Sequence, residues 1–214
     1  LFGGALALLL LSGPAAAAIV AVASADFTPS VVEDFESYTS SSDFDAVEDI
    51  AVGRIGERFS NQALTADGNF DVLGTADPAG DLVAGASGQN LNTRLLESSI
   101  RIDGIGPTGD TGDGAIAVAF DSPVQAFSIF VIAQGGPFTF DVFGSGGSFL
   151  DRVTLTTPPR ANFLGNLTLA SDTNTAEITG FSLFNRDPGG AVYDDIAVGT
   201  AQVRAPAVPL PPAA

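Results

Sequence analysis

Acidic side chains are the residues in this sequence best suited to chemistry, and Asp194 is the clearest candidate. It shares parity with Ile196 and Val198 in an apolar run, so a strand there would place its carboxylate on the core side. A carboxylate in that position is costly unless it is paired or bound to a metal ion. In the alternative interpretation, Asp194 and Asp195 begin a strand and cap the turn at 187–190.

Two further acidic segments could offer oxygen ligands. In the loop 109–114, Asp110 and Asp113 stand among glycines, which allow the tight turns that a calcium loop needs. The loop lacks the spacing and the distal Glu of an EF-hand, so a solvated loop is the favoured interpretation. The acidic run 43–49 is expected to be a soluble surface.

The amino-acid composition excludes several catalytic mechanisms. The chain has no Cys and no His, which excludes thiol nucleophiles, the usual structural zinc and Ser-His-Asp hydrolysis. A hydrolase could use two carboxylates, but with 25 acidic residues a close pair is expected by chance. There is no Trp, so Tyr38 and Tyr193 are the obvious aromatic faces for a sugar. The sequence therefore favours a protein that is not an enzyme.

The charge balance limits the partners. The formal net charge is -17, and all eight basic residues are Arg. Such a surface repels nucleic acid and anionic membrane, because a phosphate backbone is bound by clustered cations. No nucleic-acid partner is expected.

The segment 115–143 predicts the centre of the fold. It contains three apolar runs, separated by the turn signals Asp121-Ser122-Pro123 and Gln134-Gly135-Gly136-Pro137. Alternation with period 2 in such runs is typical of consecutive antiparallel strands, here interpreted as a meander. The middle run is apolar on both faces, which indicates a central strand covered on both sides.

Shorter strand patterns fill the rest of the chain at intervals typical of a β-sandwich. The predicted fold class is all-β, an antiparallel β-sandwich of the jelly-roll or carbohydrate-binding-module type. The clearest flanking strand predictions are 31–38, 50–60, 149–156, 162–170, 175–184 and 192–198.

The two ends differ from the body. Residues 1–25 carry no charge and combine a short apolar core with small residues, which predicts a secretory signal peptide. Cleavage is expected after Ala25 or earlier, among Ala15 to Ala18; a transmembrane anchor is the alternative. The sandwich is then 26–203, and the proline-rich tail 204–214 is expected to be an extended linker.

The tail resembles the VPLPA variant of the PEP-CTERM sorting signal, through Val208, Pro209, Leu210 and Pro211. In that family the motif precedes a hydrophobic helix and an arginine-rich end, and an exosortase recognises it. The body is similar to β-sandwich domains found upstream of such signals. The matching phrases are 32–36, 56–60, 88–91 and 193–198.

The resemblance implies a location and a metal. First and last strands of jelly-roll binding modules commonly lie side by side, so Asp194 with Glu36 or Asp34 is the predicted calcium site. The predicted function is a structural or adhesive protein, exported to the cell surface or extracellular matrix of a Gram-negative bacterium. A carbohydrate-binding module for extracellular polysaccharide is the alternative, and an acidic-residue hydrolase is the third hypothesis. Membrane contact is expected only through the leader or a C-terminal helix.

Overall fold

The computed structural model describes eleven segments of the chain: 18–38, 43–44, 47–67, 70–73, 82–83, 91–96, 99–103, 115–133, 137–156, 163–185 and 191–203. Asp110, Asp113 and the sorting motif at 208–211 lie outside these segments, and what was predicted for them stays a prediction.

Nearly all of the described chain is extended. Two 3₁₀ turns occur, at Ser24–Asp26 and Ser145–Gly147, and no helix in the described segments is long and apolar enough to cross a membrane. The strands are β1 (Ile19–Ala21), β2 (Phe27–Glu33), β3 (Asp43–Phe44), β4 (Glu48–Ile50), β5 (Gly53–Gly56), β6 (Arg58–Phe59), β7 (Leu64–Asp67), β8 (Phe70–Leu73), β9 (Leu82–Val83), β10 (Leu91–Leu96), β11 (Ser99–Asp103), β12 (Ile116–Val124), β13 (Ala126–Ala133), β14 (Pro137–Phe143), β15 (Phe149–Thr156), β16 (Phe163–Ser171), β17 (Ile178–Asn185) and β18 (Ala191–Ala201).

The strands form two main antiparallel sheets. Sheet A has the order β1-β16-β13-β18-β11-β10-β3, with β2 joined to the second half of β18. Sheet B has the order β15-β14-β17-β12-β5-β4. Two short pairs, β6 with β9 and β7 with β8, complete the described strands. The predicted antiparallel β-sandwich is confirmed.

The three central strands exist as predicted, but the meander is wrong. Strand β12 pairs with β17 and β5, β13 pairs with β16 and β18, and β14 pairs with β15 and β17. The three strands β12, β13 and β14 therefore lie alternately in sheets B, A and B. The predicted turn at Asp121-Ser122-Pro123 lies within β12, and the chain changes sheet at Gln125 instead.

Aromatic rings from both sheets fill the space between them. Phe127 of sheet A and Phe181 of sheet B stack with ring centroids 4.5 Å apart and an interplanar angle of 3°. Phe120 and Phe140 pack against both rings at 5.8–6.0 Å. These contacts bury the inward-facing side chains of the strands. Burial of apolar surface is the largest favourable contribution to the folding of a sandwich.

The middle strand β13 occupies a central position in sheet A. Phe127, Ile129 and Val131 face the core and are fully buried. On the other face Ser128 is also buried and shares a hydrogen bond of 2.9 Å with Thr168 of β16. The prediction of a strand covered on both sides is confirmed for this part of β13.

Strand β1 lies within the range predicted for the leader. Its three residues pair with β16, from Ile19 opposite Ser171 to Ala21 opposite Leu169. Ile19 is buried in the main core. The described sandwich therefore begins before the predicted boundary at residue 26.

Candidate functional site

The predicted calcium ligands lie around the junction of β2 with β18. Asp34 and Glu36 are both exposed, and the N–H of Glu36 donates to Oδ1 of Asp34 at 3.1 Å, which makes a local turn. Within the described segments, no group of three or more His, Cys, Asp or Glu side chains is arranged to hold a metal ion. Calcium at this junction stays a prediction.

Asp194 is buried, but its predicted core-facing position is wrong. It lies opposite Phe130 on β13, while its neighbour Tyr193 lies opposite Val131 and is fully buried in the core. A bulge follows, at which Asp195 adopts φ 45° and the register shifts. The extra residue reverses the alternation of faces along β18. Tyr193 faces the core before the bulge, and Ile196 faces the core after it.

Glu33 is a second buried carboxylate at this junction. It ends β2 opposite Ile196, which is a core residue. One carboxylate oxygen accepts the N–H of Phe35 at 2.9 Å, and the other accepts the N–H of Ala51 at 2.7 Å. Phe35 is fully buried with φ 55°, a costly conformation for an aromatic residue. Glu33 thus fixes a strained turn and joins it to the β4–β5 connection.

Tyr38 closes the same turn. Its N–H donates to the carbonyl of Phe35, and its hydroxyl donates to the carbonyl of Asp49 at 3.2 Å. Burial, followed by the negative charges of Glu33, Glu48 and Asp49, raises the pKa of Tyr38 above its ordinary value. The phenol is therefore a structural hydrogen-bond donor here.

The outer face of sheet B is covered by the chain itself. The cover consists of β6, β8, β9 and Gln62, and we call it the covering layer. Phe59 meets Phe143 edge-on at 5.0 Å between ring centroids, and Leu82 packs in the same apolar cluster. Leu73 packs with Phe184 in a second cluster. These contacts fill the part of the outer face of sheet B that lies beneath the covering layer.

An ion pair with one buried and one partly exposed partner lies beside the covering layer. Asp141 of β14 is fully buried, and the Arg152 guanidinium of β15 donates to it through Nε at 2.6 Å and Nη2 at 2.7 Å. This two-point geometry is the strongest form of such a pair. The hydrogen bonds to Asp141, opposed by burial, raise the pKa of Arg152 above its ordinary value.

The ion pair is tied to the covering layer. Arg152 Nη2 also donates to the carbonyl of Leu73 at 3.2 Å, and its guanidinium lies 5.7 Å from the ring centroid of Phe184. Gln62 Nε2 donates to Ser182 Oγ at 2.7 Å and lies 3.5 Å from Asp141 Oδ2. Both oxygens of Asp141 are thus occupied, which leaves it poorly placed to act as an acid, base or nucleophile.

An exposed strip follows β15, beside this cluster. Arg152 and Thr154 lie on the outer face of sheet B, opposite Asp141 and Thr139. Phe149 stands at one end of the strip with 40% of its surface exposed, and Thr156 is exposed at the other end. An aromatic face followed by a guanidinium and hydroxyls is a suitable arrangement for binding a saccharide.

Sequence reasoning missed the residues at both places. Glu33 lies within the predicted strand 31–38 but was not predicted as a site residue. Asp141 lies in the predicted central segment 115–143 and was likewise not predicted as a site residue. An acidic residue between Phe and Val in a strand is the signal that could have found this site, because a buried carboxylate needs a partner. Its partner Arg152 follows from the β14–β15 register, which the sequence does not specify.

No family model matches this chain, and no curated protein matches it. Solved structures give distant similarities. A CBM6 module of Clostridium stercorarium in complex with cellobiose is 15% identical with TM-score 0.35, covering 56% of this chain and 88% of that one. The C-terminal CBM6 of the marine laminarinase LamC from Zobellia galactanivorans is 15% identical with TM-score 0.32, covering 51% and 88%.

A third solved structure contains the CBM22-1 and GH10 modules of the endo-1,4-beta-D-xylanase 10B of Clostridium thermocellum, complexed with xylohexaose. It is 14% identical with TM-score 0.38, and the match covers 86% of this chain and 30% of that one. These similarities are too distant to assign a ligand.

Proposed function

We propose that this protein is an exported, non-enzymatic β-sandwich with a structural or adhesive role at the cell surface or in the extracellular matrix of a Gram-negative bacterium. In this proposal the apolar leader directs export, and exosortase-type machinery recognises the motif that begins at Val208.

The state of Asp141 is the observation that best supports the non-enzymatic part of this proposal. It is the carboxylate with the least exposure on the outer face of sheet B, and Arg152 engages both of its oxygens. Phe59, Leu73 and Leu82 then fill the adjacent surface. A face packed in this way contributes stability, whereas a hydrolase needs an accessible carboxylate pair in a cleft.

The test combines location with activity. The full precursor is expressed in a Gram-negative host, the cell fractions are probed, and purified protein is mixed with matrix polysaccharides while reducing ends are measured. We expect protein outside the cytoplasm and no release of reducing ends. Cytoplasmic protein would contradict export. Release that disappears in Asp141→Asn but persists in the exposed control Asp121→Asn would contradict a non-enzymatic role.

Polysaccharide binding is the second candidate function, and the β15 strip favours it. Phe149 offers an exposed ring that also contacts Phe143 at 6.2 Å between centroids, so its orientation is supported from below. Arg152 and Thr154 follow on the same face. A supported ring costs little conformational entropy to order on a ligand.

Affinity electrophoresis separates this candidate from a purely structural role. Gels containing soluble β-glucan or xylan should retard the wild-type protein, and Phe149→Ala should abolish the retardation. Val32→Ala is the matched control, because Val32 is similarly exposed, at 44%, but lies on the edge strand β2. Equal migration of wild type and Phe149→Ala in every gel would remove the β15 strip from consideration.

A further inference from the structure

Residues 18–22 are built into the side of the sandwich. The N–H of Ala18 donates to Asp172 Oδ1 at 3.0 Å, and the carbonyl of Ala18 accepts the N–H of Asp172 at 3.0 Å. The N–H of Val22 donates to the carbonyl of Thr168 at 3.1 Å. Hydrogen bonds at both ends of β1 therefore hold it along the edge of β16.

The same segment joins the two sheets. The N–H of Ile19 donates to Asp151 Oδ2 of β15 at 3.3 Å, so β1 reaches from β16 in sheet A to β15 in sheet B. Ile19 retains only 4% exposure among the core residues, and Val22 packs on the small cluster that contains Ala126. Removal of this segment would open the core along that side and leave the edge of β16 without its partner.

A leader is removed during export, before the mature chain folds, so the mature chain must keep every residue that the sandwich uses. Cleavage after Ala25 would discard all eight residues 18–25, including β1. Cleavage between Ala17 and Ala18 would keep them. Ala15 and Ala17 then provide the small residues at the two positions that leader peptidases require.

We propose that the leader is cleaved between Ala17 and Ala18, so that Ala18 is the amino terminus of the mature protein. This inference rests on the export proposed above. The nitrogen of Ala18 already lies 3.0 Å from the Asp172 carboxylate. After cleavage that nitrogen is an ammonium group, and its hydrogen bond to Asp172 becomes a charge-assisted one.

The experiment is an intact-mass and amino-terminal sequence measurement on the exported protein. We expect a single amino terminus at Ala18. A terminus at Asp26, or at any residue after Ala18, would overturn the inference while leaving export intact. Absence of the protein from every fraction outside the cytoplasm would instead contradict the proposed function.

Two substitutions in the precursor test the site independently of the folded domain. Ala17→Phe places a large residue directly before the proposed bond and should cause uncleaved precursor to accumulate. Ala25→Phe is the matched control, because Ala25 is exposed in a 3₁₀ turn, and it should be processed like the wild type. The opposite pattern, in which only Ala25→Phe blocks processing, would place the cleavage after Ala25.

The mature forms can also be compared directly. A chain that begins at Ala18 should unfold at a higher temperature than one that begins at Asp26, because only the longer chain contains β1. Asp172→Asn should lower the midpoint of the longer form and leave that of the shorter form unchanged. Equal midpoints for the two forms would show that β1 is dispensable and would overturn the inference.

Discussion

Glu33 and Asp141 are both buried carboxylates, but the molecule compensates them in different ways. Glu33 accepts hydrogen bonds from two backbone amides, those of Phe35 and Ala51. Asp141 is held by the two-point contact of the Arg152 guanidinium. Backbone amides fix the path of a turn, whereas the ion pair joins side chains of two strands and a covering segment. In both places the buried carboxylate joins separate chain segments.

The largest expected effect is at the ion pair. Arg152→Ala leaves the fully buried Asp141 without its cation, and it should lower the free energy of unfolding by about 3 kcal/mol. Guanidinium denaturation at pH 7 measures this. Arg152→Lys keeps the charge but loses the two-point geometry, so an intermediate loss is expected. A loss below about 0.5 kcal/mol for Arg152→Ala, the range of ordinary surface substitutions, would show that the pair contributes little.

Addition of calcium tests whether the junction of β2 with β18 binds a metal ion. If Asp194 with Glu36 or Asp34 binds calcium, the ion at a hundred times its Kd should add about 2.7 kcal/mol. Thermal unfolding with calcium and then with chelator measures this. The rise should disappear in Asp194→Ala and persist in Arg152→Lys. A midpoint that does not respond to calcium contradicts the predicted site.

Removal of the Glu33 carboxylate should cost less than removal of Arg152. Glu33→Ala leaves the N–H groups of Phe35 and Ala51 without their acceptor, and we expect a loss of about 2 kcal/mol by urea unfolding. Glu36→Ala is the matched control, since Glu36 is exposed, and it should change stability by less than about 0.5 kcal/mol. Equal losses of unfolding free energy for the two substitutions would show that the burial of Glu33 adds nothing to stability.

The smallest effect is a pH dependence at Tyr38. Because its pKa is raised in the folded state, the neutral phenol contributes stability below the unfolded pKa of about 10, and this contribution is lost as the pH rises through the folded value. Tyr38→Phe should cost about 0.5 kcal/mol at pH 8, through the lost bond to Asp49.

Urea unfolding of both proteins from pH 8 to pH 11 follows this dependence. The difference between wild type and Tyr38→Phe should shrink above pH 10. A difference that grows with pH would mean that the phenolate is favoured in the folded protein.

Several strand positions follow from period-2 alternation. The predicted strands 149–156 and 162–170 correspond to Phe149–Thr156 and Phe163–Ser171, because turn signals in the sequence bound each run and each run has one largely apolar face. Pairing did not follow, since alternation determines which face is buried and says nothing about which sheet a strand joins. That is why the meander was wrong although its strands were right.

Local irregularities limited the prediction of the site. The bulge at Asp195 reverses parity in the middle of β18, and the sequence gives no signal for it beyond two adjacent Asp residues. The predicted strand 50–60 is interrupted twice, by the tight turn Ala51–Val52 between β4 and β5 and at Glu57 between β5 and β6. The Asp141–Arg152 pair depends on register, which turn geometry sets and which alternation leaves undetermined.

The partners of β18 have a consequence for the order of folding. This strand pairs with β13 along one edge and with β11 and then β2 along the other, and β2 begins at residue 27. The hydrogen bonding of sheet A therefore cannot be completed until β18 has been synthesised. Contacts between strands as distant in sequence as β2 and β18 form slowly. A nascent chain that stays open for this long is suited to a secretion channel that passes unfolded polypeptide. Chains ending before Ala191 should accordingly lack cooperative unfolding.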